Sequence, residues 1–333
     1  MHLRRYTPSD QRLWDDFVRL SKNGTFLFER PYMDYHSDRF CDYSLLFFDD
    51  KEHLLALLPA NEQPLSEATS ERHFYSHQGL TYGGFILHKR THAAEVLQLF
   101  GLTQDYLRTQ GFTSWHYKPV PTIYHRLPSQ EEDYALFRLG AELEVCNLSC
   151  SLSLDAAEDI RLSADASRRH RRKVCEEQGM ELIEGGVQLP AEEVLRQFWP
   201  IMEQNMMARY GATPVHSLDE MLLLQRRFPR QIRCYLVRQA GQNLAGEVLF
   251  VSQQVAHAQY GHATPEGRRL GALDFLYLSL IDHFSQPQSA VRYFDFGTSN
   301  EQGGRYLNEA LIAQKEGFGG RGIAYKTYLI KIS

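Results

Sequence analysis

Two arginines and two glycines crowd the segment Glu266-Gly267-Arg268-Arg269-Leu270-Gly271-Ala272, which falls between a strand-like and a helix-like stretch. Such a loop exposes backbone N–H groups, the next helix adds partial positive charge at its start, and the guanidinium groups add full charge. It can cradle a pyrophosphate through Arg268, Arg269, Gly271 and Ala272, or it is an ordinary polar loop. Lys315 lies about 80° around a late helix from Leu307, beside the apolar stripe rather than opposite it. That puts an ammonium near a buried face, unless the stem merely covers apolar surface. Glu247 sits in a strand, grouped by alternation with Ala245 and Leu249 and opposed to Val248 and Phe250, which leaves its direction open. Tyr260 and His262 end the next strand, close to the arginine loop, and an imidazole titrates near neutral pH. Asp295 ends a short strand at Gly297, where it can orient a neighbour or cap the loop. Arg168-Arg169-His170-Arg171-Arg172-Lys173 is a cationic run in which Arg168, Arg171 and Arg172 converge at helical spacing. That run is either a phosphate clamp or a solvated face. The stretch Tyr75–Gly84, with His77, Tyr82 and Gly83, can hold an acceptor or simply form a tight bend. No Ser/His/Asp or Cys/His pattern points to an acyl-enzyme, and the 14 histidines show no metal-ligand spacing.

These residues need elements to place them. In the first half the pattern predicts a helix over Ser9–Leu20, strands at Tyr43–Phe48 and His53–Pro59, and an extended Gly79–Leu87. A helix over His92–Thr109 and strands at Phe112–Tyr117 and Cys146–Leu154 follow. The composition turns basic near Asp155, and the domain junction is expected there. The second half opens with a strand (Met180–Glu184) and a helix (Glu192–Tyr210) kinked at Pro200. Ser217-Leu218-Asp219-Glu220 is a capping box that opens another helix. Arg233–Arg238, Leu244–Gln253 and Val255–His262 form an antiparallel meander. Then come a helix over Leu273–Phe284, a strand at Tyr293–Phe296, a helix over Tyr306–Glu316 and a strand at Ala324–Ile330. The class is α+β with mixed sheet pairing.

The 333 residues fit two domains, and 43% hydrophobic with 23% charged residues is the balance of a soluble globular chain. A net charge of −5 argues against a broad nucleic-acid surface and excludes a DNA partner from the expectation. No stretch reaches the ~18–20 apolar residues that span a bilayer, and the start of the chain lacks an apolar leader. Five cysteines without zinc-site spacing are expected to be reduced thiols of a cytoplasmic protein.

The second half resembles the GNAT acyltransferase superfamily, in which the pyrophosphate of acyl-CoA rests on a Gln/Arg-x-x-Gly-x-Gly/Ala loop before a helix. Here Arg268-Arg269-Leu270-Gly271-Ala272-Leu273 supplies the Arg and the first Gly, and Leu273 departs from the pattern. A narrower resemblance, to Fem-type transferases, rests on Phe294-Asp295-Phe296-Gly297-Thr298-Ser299, Leu307-Asn308 and Gln314-Lys315-Glu316-Gly317-Phe318-Gly319-Gly320. These are tandem GNAT-fold enzymes that add amino acids from aminoacyl-tRNA to peptidoglycan precursors. A broader group of envelope and polysaccharide acyltransferases shares that signature. The run Tyr75-Ser76-His77-Gln78-Gly79-Leu80-Thr81-Tyr82-Gly83-Gly84 is similar to the same group, as are Pro214-Val215-His216-Ser217 and His257-Ala258-Gln259-Tyr260. No helical-arm insertion is present, which fits the broader group.

The resemblance implies two tandem GNAT-like domains, each a mixed, mostly antiparallel sheet flanked by helices. Residues 1–154 would be a degenerate acceptor-binding domain and 155–333 the donor-binding, catalytic one. It implies Glu247 as a base on the acceptor ammonium, with His262 a further candidate, and Lys315 near the reacting carbonyl or a phosphate. Asp295 would orient Lys315 or the acceptor, and Tyr306 would protonate a leaving thiolate. His77, Tyr82, Gly83, Arg168, Arg172 and Tyr260 would touch the acceptor, a small or nucleotide-linked molecule. The donor would be acetyl-CoA or another acyl-CoA, without a metal. The expected activity is N-acylation of an amine on an envelope or polysaccharide precursor such as an amino-sugar nucleotide. One alternative is a Fem-like aminoacyl-tRNA-dependent transferase. The other is a non-catalytic binding module on the same scaffold.

Overall fold

The continuous apolar run Leu45–Phe48 leaves no polar face for water and is buried throughout, as such a strand requires. A computed structural model describes residues 1–63, 71–155 and 164–332. The chain divides into two units, one of residues 1–148, 300–306 and 324–333, the other of residues 149–299 and 307–323. The division thus falls at Leu148, earlier than the Asp155 read from composition. Two late segments also return to the first unit, because their contacts there outweigh sequence order.

In the first unit, β1 (His2–Arg5), β2 (Leu45–Phe48), β3 (Leu54–Leu58) and β5 (Ile86–Leu87) make one antiparallel sheet in the order β1-β2-β3-β5. All four residues of β2 are buried. A second layer pairs β4 (Arg72–Tyr75) parallel to β6 (Phe112–Tyr117). Residues Tyr328–Lys331 of the last strand run antiparallel along β6. Helix α1 is Gln11–Leu20, α2 is Ala93–Thr109 and α3 is Glu131–Arg138. The core joins Leu45, Phe47, Phe74, Phe85, Phe100, Trp115 and Tyr117, with Trp115 and Tyr117 projecting from the same face of β6. The expected extended segment Gly79–Leu87 is mostly loop, and only Ile86 and Leu87 pair.

Strand β7 (Glu142–Ser153) leads into the second unit. Next come α4 (Ala166–Glu177), β8 (Glu181–Glu184), α5 (Ala191–Tyr210, containing Pro200) and α6 (Leu218–Arg227). The Ser217–Glu220 capping box forms as expected. Strands β9 (Ile232–Gln239), β10 (Gln242–Val251) and β11 (Val255–Ala263) are the meander. Helix α7 (Pro265–Leu270) meets α8 (Ala272–Phe284) at Gly271, whose φ of 84° is the left-handed region open to glycine. The unit finishes with β12 (Tyr293–Thr298), α9 (Glu309–Glu316) and the start of β13 (Arg321–Lys331). Helix α9 begins at Glu309, capped by the Asn308 side chain on the Leu311 N–H. Tyr306 therefore lies before the helix, in a two-residue strand with Leu307, and is half exposed.

The sheet order is β8-β9-β10-β11-β12-β7, antiparallel except for β11 beside β12. Its two faces are identified by what a side chain would meet. A Cβ on Gly246 would strike the Phe198 ring of α5 at 2.4 Å, and a Cβ on Gly261 would meet the Tyr277 hydroxyl of α8 at 2.1 Å. So α5 covers one face and α8 the other.

Candidate functional site

The single parallel pair is where the sheet opens. Strands β11 and β12 pair only through Val255–Tyr293, Ala256–Phe294 and His257–Asp295, yet they continue to Ala263 and Thr298. Past His257 and Asp295 no further pairs form between the two strands among the described residues. An irregularity at the same level finishes the construction. Val248 pairs with Tyr260 but Leu249 with Ala258, so Gln259 is the extra residue of a bulge. Residues three apart on a regular strand face opposite ways. The bulge turns His257 and Tyr260 to the same side, where the His216 ring packs on both Phe250 and Tyr260. His216 Nδ1 and the Tyr260 hydroxyl are 2.6 Å apart.

Asp295 faces that side as well. Its neighbours Phe294 and Phe296 meet Tyr277 of α8 edge-on, and strand alternation sends Asp295 the other way. Its side chain is fully buried. One carboxylate oxygen accepts from the Ser149 hydroxyl at 2.6 Å, and the other lies 2.7 Å from His257 Nδ1. An aspartate on Nδ1 holds the imidazole with its proton there and leaves Nε2 as the basic nitrogen. The serine bonds to the aspartate and not to the imidazole, so it is not aligned as a nucleophile.

Lys315 closes the end of β12. Its ammonium donates to the carbonyls of Gly297 (2.9 Å) and Thr298 (2.7 Å). Burial lowers its pKa to about 8, against the opposing pull of Asp295. Cys150 lies alongside, and burial pushes its thiol up to about 11, so it is not a thiolate at neutral pH. Gly297 has a φ of 76°, and a Cβ there would lie 3.5 Å from His257 Cε1. The cluster is therefore an imidazole base, a buried carboxylate that orients it, and a cation on the strand end, around a gap in the sheet. That set suits removal of a proton from an amine and stabilisation of negative charge on a carbonyl oxygen.

Several expected site residues stand elsewhere. Glu247 pairs with Gly261 on the α8 face, opposite His257. It is fully buried, and its carboxyl and the Tyr277 hydroxyl fill the space over Gly261. Burial raises its pKa to about 8, and it lies on the opposite face of the sheet from His257. His262 is held neutral. Burial first, then Arg209 and Arg268, lower its pKa to about 4. Tyr82 is a core residue that donates to Thr25 Oγ1 at 3.2 Å. Gly83 is needed for closeness, since a Cβ would sit 2.1 Å from the Ser76 carbonyl oxygen.

The basic helix α4 is a strut rather than a free clamp. Arg168 and Arg171 both pair with Asp274 of α8, the latter at 2.6 Å. Arg172 pairs with Asp282 at 2.6 Å and Glu176 at 2.8 Å. Arg168 also stacks on Phe318, 4.2 Å from the ring centre. Asp274→Ala would leave the mostly buried Arg168 with only the distant Asp165 carboxylate, 3.9 Å away, at a cost of about 3 kcal/mol. Denaturant unfolding should show that loss, with Asp274→Asn costing less. An unchanged midpoint in both variants would contradict the strut.

The same pairings decide whether the start of α8 fits a CoA pyrophosphate. Arg268 donates to the Asn205 side chain and, at 2.8 Å, to the Ala263 carbonyl, which ties α7 to α5. Arg269 pairs with Glu266 at 2.6 Å. A Cβ on Gly271 would meet Arg171 Cδ at 2.2 Å, so the glycine is roofed by that side chain. Ala272 is buried. Asp274 brings a carboxylate to the third residue of the helix, where an incoming phosphate would need positive charge. The guanidinium groups at this position are thus already bonded within the protein.

Residues 165–306 match the family model described as an acetyltransferase (GNAT) domain. The chain is similar to GNAT acyltransferases over that segment. Its fold is shared with tandem members. The FemX crystal structure matches at a TM-score of 0.73 with 11% identity, over 99% of this chain and 97% of that one. L-PGS from Bacillus licheniformis matches at 0.58 and 11%, over 99% and 93%. A tandem GNAT protein from the clavulanic acid biosynthesis pathway matches at 0.53 and 12%, over 100% and 98%. No curated protein matches the sequence. Among the described residues no helix is long and apolar enough to cross a membrane, and no group of side chains could hold a metal ion.

His257 is the residue that sequence reasoning passed over. It lies in the run His257–Tyr260, but its partnership with Asp295 depends on parallel pairing between segments 38 positions apart.

Proposed function

We propose that this protein is an N-acyltransferase acting on the primary amine of a cell-envelope precursor, and that its donor is an aminoacyl ester of the tRNA-linked kind rather than acyl-CoA. The observation that carries the reaction type is the His257–Asp295 pair at the opening between β11 and β12. The amine gives a proton to His257 Nε2 and its nitrogen attacks the acyl carbonyl. A C–N bond forms, the carbonyl oxygen takes up negative charge beside Lys315, and the donor oxygen leaves with a proton returned from His257. Bond making and breaking occur without an enzyme-bound acyl group, and catalysis rests on positioning and electrostatics.

The choice of donor rests on the start of α8, where Arg168, Arg171, Arg268 and Arg269 are all bonded within the protein and Arg171 roofs Gly271. The fold likeness to FemX supports the same reading. GNAT domains in general use acyl-CoA, and the family match keeps that as the second reading. The acceptor is taken to be a cytoplasmic small molecule or nucleotide-linked precursor. Calorimetric titration with acetyl-CoA should give no saturable heat, while aminoacyl-tRNA transfers its amino acid to an amine acceptor. One-site binding of acetyl-CoA, weakened by Arg171→Ala, would overturn the donor choice.

A further inference from the structure

Glu247 is fully buried on the α8 face of β10, and no cation pairs with it among the described residues. A buried carboxyl costs stability unless its oxygens find hydrogen bonds. One of them does so at the bulge of β11. Glu247 Oε1 accepts from the Tyr260 N–H at 3.2 Å, and Tyr260 follows Gln259, the extra residue of that bulge. A bulge disrupts the ladder of hydrogen bonds between its two strands. The carboxyl therefore supplies an acceptor to the backbone at the point where the ladder is broken.

Room for this contact comes from Gly261, the residue paired with Glu247. A Cβ on Gly261 would lie 2.3 Å from Glu247 Oε2 and 2.1 Å from the Tyr277 hydroxyl oxygen. Any side chain there would push the carboxyl off the bulge.

The phase of β11 matters to the site on the other face. The extra residue lets His257 and Tyr260 share a side although they are three positions apart. Straightening the strand would slip one end of it by a residue, and such a slip turns side chains to the opposite face. The pairing of His257 with Asp295 and the packing of Tyr260 on His216 would then no longer hold together.

We infer that Glu247 is a positioning residue, which locks the Gln259 bulge through the Tyr260 N–H and so keeps His257 turned toward Asp295 and the acceptor. That His257 is the base rests on the proposed function, whereas the lock on the bulge does not.

Backbone amide exchange, followed by NMR on the full chain, reads the lock directly. Glu247→Leu fills the space without an acceptor, and the Tyr260 amide should exchange at least about tenfold faster in it. Glu247→Gln keeps an oxygen that accepts, and should retain most of the protection. Gly261→Ala displaces the same carboxyl from the neighbouring strand and should also expose the Tyr260 amide, so the test survives if Glu247→Leu does not fold. Unchanged protection of Tyr260 in folded Glu247→Leu or Gly261→Ala would overturn the inference.

The transfer reaction reads the consequence. Glu247→Leu should lower kcat at least about tenfold with an ordinary amine, and far less with hydroxylamine, which is unprotonated at neutral pH. Added to His257→Asn it should cost no more than about twofold further, because both changes remove the same group from the reaction. A full further loss in the double variant would mean that Glu247 does not act through His257, and would overturn its positioning role. If wild-type protein shows no transfer while the Tyr260 amide depends on Glu247, the functional reading fails and the lock stands.

Discussion

Replacing His257 by asparagine should lower kcat by about 10²–10⁴, the range that a positioned general base contributes. The argument rests on Nδ1 being fixed 2.7 Å from a fully buried carboxylate, which commits Nε2 to the acceptor. Asp295→Asn should act in the same direction, because an amide in that place no longer enforces the tautomer. A purely structural role is separated by changing the nucleophile. Hydroxylamine is already unprotonated at neutral pH, so its transfer rate should fall far less in His257→Asn than the rate with an ordinary amine. Equal losses for both nucleophiles would mean that the substitution disturbed the site rather than removed a base.

Lys315→Met should lower kcat by about 10²–10³, the typical effect of removing one group aimed at a developing oxyanion. The ammonium is held on two carbonyls, which leaves its third N–H available to a bound oxygen. Its depressed pKa gives the claim a signature. The charged form is the working form, it exists below the pKa, and burial has brought that pKa down to about 8. Activity should therefore decline as pH rises through about 8. Lys315→Arg keeps its charge over that range and should lose the decline, whatever rate it retains. A wild-type profile flat from pH 7 to 10 would remove Lys315 from the chemistry.

Much of the fold was legible because periodicity is local. The meander, the capped helix at Ser217 and the long helix before β12 follow from alternation and from the 3.6 repeat. The site was legible in part for the same reason. Lys315 beside an apolar stripe and Asp295 at a strand end are local signals, and the structure brings those two within electrostatic reach. Glu247 failed on a global question. Alternation groups it with Ala245 and Leu249 but cannot tell which helix covers that side. The Gln259 bulge, invisible in composition, decides which residues of β11 share a face. The arginines of α4 and α7 misled for a related reason. Charge is plain in a sequence, but the carboxylates that satisfy it, Asp274 and Asp282 for α4, lie about 100 residues away.

Ser149 and Cys150 stand beside the cluster, and either would be the natural carrier of a covalent intermediate if one existed. The geometry assigns them otherwise, the serine to Asp295 and the thiol to its protonated form. Intact-mass spectrometry during turnover tests the central claim of direct attack. With wild-type protein, an aminoacyl donor and an amine acceptor, amide product should accumulate while the protein mass stays unchanged at every time point. A protein species heavier by one acyl group, formed with donor alone and consumed on adding the amine, would contradict the account.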